Sequence, residues 1–261
     1  MLTLFIICLA GFFGALVDAI VGGGGLITIP ALLATGMPTY LALGTNKFAS
    51  SLGTISSTIE FFRSGEVNTR LMKYLLPFSL IGSAVGVWVV LRVDPEFLRI
   101  LIIILVLAIG LYTLLHKELG LKSTFENLTK RTILLGMFMA LGIGFYNGFF
   151  GPGTGSFLIF ALIAIYGFDF KKASANAKML NLTGNATALI LFLINGEVMY
   201  AYGIPMAFSM MLGGQVGAKL ALKKGSKFIK PVFVVVSLIL VVKMVFDLLS
   251  TMNFEYSLLH L

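Results

Sequence analysis

Ten apolar stretches follow one another along the chain, at about 2–21, 25–36, 41–62, 74–91, 97–115, 132–150, 156–167, 173–194, 200–218 and 229–250. Most approach the ~20 residues that a helix needs to cross a bilayer core of ~30 Å. Only 11% of the residues are charged and 58% are hydrophobic, where a soluble domain carries about 25% charged residues. The chain is therefore read as an integral membrane protein in contact with the lipid bilayer. The stretches have helical lengths and lack the ten-residue alternation of an outer-membrane barrel, so the expected fold is all-α, a polytopic transmembrane helical bundle. Cys8 is the only cysteine, which leaves no intrachain disulfide and argues against thiol redox chemistry. The first 18 residues lack a basic leader and precede many spans, so they are read as the first membrane element rather than as a cleaved signal. The net charge of +8 is read as basic cytoplasmic loops rather than as a nucleic-acid surface.

Two stretches, 25–36 and 156–167, are long enough for only about half a crossing. Each follows a glycine cluster, VGGGGLITIP at 21–30 and GPGTGSF at 151–157. Glycine costs roughly 1 kcal/mol against alanine in a helix interior, so four in a row mark a place where the helix must stop.

The chain is also written twice. NKFASSLGTISSTIEFFRSGEV (46–67) aligns without a gap over AKMLNLTGNATALILFLINGEV (177–198). Identical pairs at this 131-residue offset include Lys47/Lys178, Gly53/Gly184, Gly65/Gly196 and Glu66/Glu197, and the offset also pairs Gly82 and Gly86 with Gly213 and Gly217, and Phe97 with Phe228. Upstream, an offset of 129 sets Asp18 over Asn147 and Gly22 over Gly151. The expected organisation is a first transmembrane repeat at 1–116, a basic cytoplasmic linker at 117–131 and a second transmembrane repeat at 132–261. Duplicated halves are the architecture of many secondary transporters.

The basic residues decide how the halves are oriented. If 2–36 and 132–167 each formed one span, alternate loops would hold nine and seven Lys or Arg residues. If each bends back at its glycines, the division becomes 14 against two, with Arg92 and Arg99 alone on the poor side. Basic residues concentrate in cytoplasmic loops, which favours hairpins at 18–30 and 147–156. Each half then has one glycine-broken hairpin and three crossings, an odd number, so the repeats are inverted and both termini lie outside the cytoplasm. A single helix over 2–36 would in any case be about 50 Å long. Non-helical backbone at membrane depth is tolerated only where it is buried or lines a cavity. The free N–H groups of a broken helix favour an anion. Gly22, Gly23, Gly24 and Gly25, with Gly151, Gly153, Thr154 and Gly155, are accordingly candidate substrate-binding positions. Gly82/Gly86 and Gly213/Gly217 have GxxxG spacing and are read as helix-packing positions.

The pattern DAIVGGGGLITIPALL and ALGTNKFASSLGTISSTIEFF, repeated as YNGFFGPGTGSF and ANAKMLNLTGN, resembles the sulfite exporter TauE/SafE family of membrane transporters over nearly the whole chain. The resemblance implies a multi-pass inner-membrane permease. Sulfite, sulfonates and other small organic anions are among the family's proposed substrates.

The residues point to an anion on their own account. Lys47, Ser50 and Thr54 fall at i, i+3 and i+7, one face of a helix, and Lys178, Asn181 and Asn185 repeat the pattern. Two lysine-headed polar stripes would line a pathway between the halves; the alternative is that each lysine snorkels to the interface. Asp18 is open to three roles: carrying a proton, capping the glycine turn, or pairing with Lys47. Its counterpart Asn147 cannot titrate, so coupling through this pair would be asymmetric. Glu66 and Glu197 are read as structural or gating residues, and Lys243 and Asp247 as a helix-end ion pair.

An enzyme is disfavoured. The only histidines are His116 and His260, and GxSxG, HExxH and cysteine clusters are missing, so no cofactor or metal is called for. The expected function is a secondary transporter of a small anion, by alternating access between two repeats. The alternatives are an anion channel or a non-transporting assembly factor. The expected partners are a small anionic substrate, the bilayer and further copies of the same chain, without nucleic acid.

Overall fold

The computed structural model describes residues 2–92, 122–225 and 227–228. Its regular elements are α1 (Leu2–Val21), α2 (Gly25–Leu33), α3 (Thr39–Arg63), α4 (Thr69–Val90), α5 (Lys130–Phe149), α6 (Thr154–Tyr166), α7 (Phe170–Ile194) and α8 (Tyr200–Lys224). Among the described residues there is no strand. The stretches expected at 97–115 and 229–250, with Phe97, Arg99, His116, Lys243, Asp247 and His260, lie outside the described residues.

α4 and α8 run furthest past their apolar stretches. α4 begins at Thr69, because the Asn68 side chain accepts the Leu71 N–H at 3.0 Å and caps the helix. α8 continues to Lys224, where Gly225 at φ 67° ends it. By length and composition α1, α4, α5 and α7 are apolar enough to cross a membrane. α3, at 25 residues, is long enough but polar, and it hides that polarity: Thr45, Asn46, Lys47, Ser51, Thr54, Ser57 and Thr58 are all buried.

Both glycine clusters turn the chain back on itself. A Cβ built on Gly14 of α1 would meet the Thr28 side chain and the Gly24 carbonyl, so α2 returns along α1. Tyr166 at the end of α6 donates its hydroxyl to the Thr132 carbonyl at the start of α5, at 3.0 Å, so α6 returns along α5. The turns pass through the left-handed region at Gly22, Gly23, Gly151 and Gly153, with φ of 78°, 98°, 94° and 82°, where a side chain is strained. Gly22 has a second reason to lack a side chain, since a Cβ there would overlap the backbone of Gly155 and Ser156. The two hairpins thus meet tip to tip, and the Ser156 hydroxyl donates to the Val21 carbonyl at 2.9 Å.

The remaining helices bind the hairpins crosswise. Gly82 and Gly86 of α4 lie on the Leu141 and Phe145 carbonyls of α5, and Gly213 and Gly217 of α8 lie on those of Phe12 and Leu16 of α1. Small residues let the backbones approach this closely. α3 and α7 run antiparallel. The Asn68 N–H donates to the Asn176 side chain at 2.9 Å near one pair of ends, and the Met199 N–H to the Thr45 hydroxyl at 2.8 Å near the other. Glu66 pairs with Lys171 at 2.7 Å and Glu60 with Lys219 at 3.6 Å. These contacts bring Arg63, Arg70, Lys73, Lys130, Arg131, Lys171, Lys172 and the lysines ending α8 to one end of the bundle. Arg92, after α4, falls at the opposite end.

Candidate functional site

The two buried lysines lie about two turns inside the starts of the antiparallel helices α3 and α7 and reach across to the hairpin tips. Lys47 of α3 is 2% exposed and Lys178 of α7 is 0% exposed, so neither snorkels to the surface. Among the described residues they are the only charged side chains buried to this degree.

Lys47 spends all three ammonium hydrogens on neutral oxygens. It donates to the Asn147 carbonyl at 2.6 Å, to Asn147 Oδ1 at 2.7 Å and to Asn185 Oδ1 at 3.1 Å. Its Nζ also lies where a Cβ on Gly151 would stand, so the turn of the second hairpin fits closely around the cation. The acceptors are held from behind. Asn147 Nδ2 donates to Asn181 Oδ1 at 3.3 Å, and Asn185 Nδ2 donates to the Thr54 hydroxyl at 3.4 Å.

Lys178 meets a carboxylate. Its Nζ lies 2.5 Å from Asp18 Oδ2 in the first hairpin, while Asp18 Oδ1 accepts the Gly24 N–H at 3.4 Å. Of the roles open to Asp18, pairing with Lys47 is therefore corrected: its partner is Lys178, from the other half of the chain. The long bond to Gly24 makes it a weak brace of the turn as well.

A cavity of about 30 Å³ opens between these groups, lined by Asp18, Gly24, Gly25, Asn46, Lys47, Ser50, Gly53, Thr54, Gly151, Asn181 and Asn185, with Ala15 and Met210. It has room for about two waters. The first stripe, Lys47, Ser50 and Thr54, faces it throughout. The second faces it through Asn181 and Asn185, because Asp18 stands between Lys178 and the space. Gly22 and Gly155 are taken up by the tip-to-tip contact. Gly23 and Gly153 shape the turns, and Thr154 bonds back to the Gly151 carbonyl at 2.6 Å. Asn147 sits under Lys47 at 1% exposure. Asn46 is the polar lining residue that helical spacing did not flag. It lies off the lysine stripe and accepts the Thr28 hydroxyl at 2.6 Å, tying α3 to α2. Glu66 is engaged by Lys171, and the Glu197 carbonyl seats against Gly44.

Apolar helices long enough to span a bilayer, two of them leading into broken hairpins that enclose a cation-bearing polar cavity, define a polytopic membrane protein of the transporter class. The sequence agrees over nearly its whole length, for residues 7–244 match the sulfite exporter TauE/SafE family. The chain belongs to that family of membrane transporters. It is 41% identical over 237 residues to the "Probable membrane transporter protein" of Haemophilus influenzae, covering 91% of this chain and 92% of the relative. It is 42% identical over 245 residues to the "Probable membrane transporter protein YfcA" of Escherichia coli K12, covering 93% and 88%. A more distant relative, "Probable membrane transporter protein YunE" of Bacillus subtilis, is 22% identical over 267 residues, covering 93% and 97%. No solved structure matches the chain at a significant level.

Proposed function

We propose that the chain is a secondary carrier of a small anion, a sulfur-containing oxyanion or organosulfonate, which it takes beside Lys47 between the hairpin tips. One observation carries this reading. Lys47 is buried among neutral acceptors, so the cluster of Lys47, Lys178 and Asp18 holds two cations and a single carboxylate. A buried charge without a partner is costly in a low-dielectric setting, and a bound anion supplies that partner. The cavity as it stands holds about two waters, so a guest of four or five heavy atoms requires the hairpin tips to part, which alternating access supplies. The family description, sulfite exporter, names a small oxyanion whose protonated form, hydrogensulfite, carries the single negative charge that balances this cluster.

Alternating access would run between two inverted repeats. Supporting this, residues paired by the offsets of 131 and 129 make matching contacts: Lys47–Asn147 with Lys178–Asp18, Asn68–Asn176 with Met199–Thr45, and Gly82–Leu141 with Gly213–Phe12. The repeat-equivalent Thr54 and Asn185 bond to each other, as residues on a pseudo-two-fold axis do. The basic end of the bundle is the cytoplasmic one in this reading, and both termini face the other side of the inner membrane. A cysteine at position 68 should then label from the cytoplasm and one at 195 from outside; labelling from a common side rejects the inverted arrangement.

The test of function is sulfite flux into proteoliposomes. Saturable flux at carrier speed is expected, abolished by Lys47→Ala and not restored by Lys47→Arg, whose planar fork does not replace a compact ammonium among three close acceptors. Wild-type flux in Lys47→Ala would reject Lys47 as the anion's partner. Flux that does not saturate would make the protein a channel.

A further inference from the structure

We infer that Asp18 is a tethered anion: a carboxylate of the chain itself fills, on Lys178, the position that a substrate anion takes on Lys47. The inference rests on the proposed anion site and says how many such sites the protein holds. The two lysines are repeat-equivalent, both buried, and each is met by the hairpin of the opposite half. The groups they meet are also equivalent, Asn147 at one and Asp18 at the other. The geometry is shared while the charge differs by one. At Lys47 the hairpin offers only a carbonyl and an amide oxygen, and no carboxylate touches the cation; Asp18 faces it only across the cavity that both line. At Lys178 the carboxylate answers it at contact distance, and Asp18, not Lys178, forms the wall.

Two consequences follow. The protein has one vacant anion position although its halves could furnish two. The bound state is also neutral only when the guest carries a single negative charge, so a monoanion is the matched substrate class. A dianion would leave an excess of negative charge beside Asp18.

Exchanging the two hairpin residues tests this. The full chain in detergent would be titrated by calorimetry with sulfite in mildly acidic buffer, where it is the monoanion hydrogensulfite, and each stoichiometry compared with that of the wild type. Asp18→Asn makes the first hairpin like the second and uncovers Lys178, so one additional sulfite per chain is expected. Asn147→Asp places a carboxylate on Lys47, and sulfite affinity should fall by about tenfold or more. The double exchange Asp18→Asn/Asn147→Asp keeps the net charge and moves the vacancy to Lys178, so one site should return. Unchanged stoichiometry in Asp18→Asn, or wild-type affinity in Asn147→Asp, overturns the inference. If Asp18→Asn does not fold, Asn147→Asp and the double exchange decide alone. Should the wild type bind no sulfite while Asp18→Asn binds one, the Lys47 site fails and the tethered anion stands.

Discussion

The helix entering the first hairpin ends at Val21 with Asp18 one turn back, and the helix entering the second ends at Phe149 with Asn147 in the last turn. Both turn through left-handed glycines, both return as a short helix, of nine and 13 residues, and both receive a lysine from the far half. The first hairpin sets a carboxylate against its lysine and the second sets only neutral oxygens. Backbone architecture and site charge are thus separable here. The glycines and small-residue contacts fix where the tips lie, and the difference between the Asp18 carboxylate and the Asn147 amide sets the charge at each tip.

The largest expected departure from symmetry is in stability. Lys178→Ala leaves the Asp18 carboxylate without its partner, a loss of about 3–5 kcal/mol for a mostly buried pair. Lys47→Ala strands only neutral oxygens and removes a cation that no carboxylate contacts, so a loss of about 1–3 kcal/mol is expected. Melting temperatures in detergent should rank Lys178→Ala well below Lys47→Ala, and equal values would break the comparison.

The turns should differ next. Gly22→Ala meets both the strain of φ 78° and the backbone of Gly155 and Ser156, whereas Gly153→Ala at φ 82° has only ordinary contacts around its Cβ. Strain alone costs on the order of 1–3 kcal/mol, so Gly22→Ala should lower the melting temperature further than Gly153→Ala. Gly86→Ala and Gly217→Ala probe the surfaces on which each hairpin is carried, and both would crowd a carbonyl. Similar losses of about 1–3 kcal/mol are expected, with sulfite affinity unchanged. Unequal losses would show that the hairpins are carried differently. The smallest effect belongs to Glu66→Gln, whose ion pair with Lys171 is partly exposed and should contribute about 0.2–1 kcal/mol.

Much of this was legible in the sequence, for identifiable reasons. The break points could be read because a glycine cluster between apolar runs has few other uses at membrane depth. The lysine faces could be read because helical spacing places Lys47, Ser50 and Thr54 together. Spacing gives the face of a helix but not what stands opposite. The Lys178–Asp18 pair spans 160 residues, and nothing local to either residue announces the other, so the sequence offered Lys47 as a partner, one of three open roles for Asp18, and did not offer Lys178. Asn46 escaped for a related reason: its partner Thr28 lies on a half-helix whose angle of return is set by packing. The start of α4 at Thr69 was hidden because a capped helix extends past its apolar stretch into charged residues.

The length of chain between Lys47 and its partners has a consequence for how the protein is made. α3 is not among the helices apolar enough to cross by themselves, and the oxygens that receive its cation lie 100 and 138 residues downstream. At roughly 5–20 residues per second, the ribosome completes those acceptors many seconds after α3 emerges. Through that interval a lysine worth about 2.5–3.5 kcal/mol against insertion has no companion. The acceptors of Lys47 are thus made while the chain is still being synthesised, and α3 reaches its final polar contacts only once residues 147 and 185 have emerged.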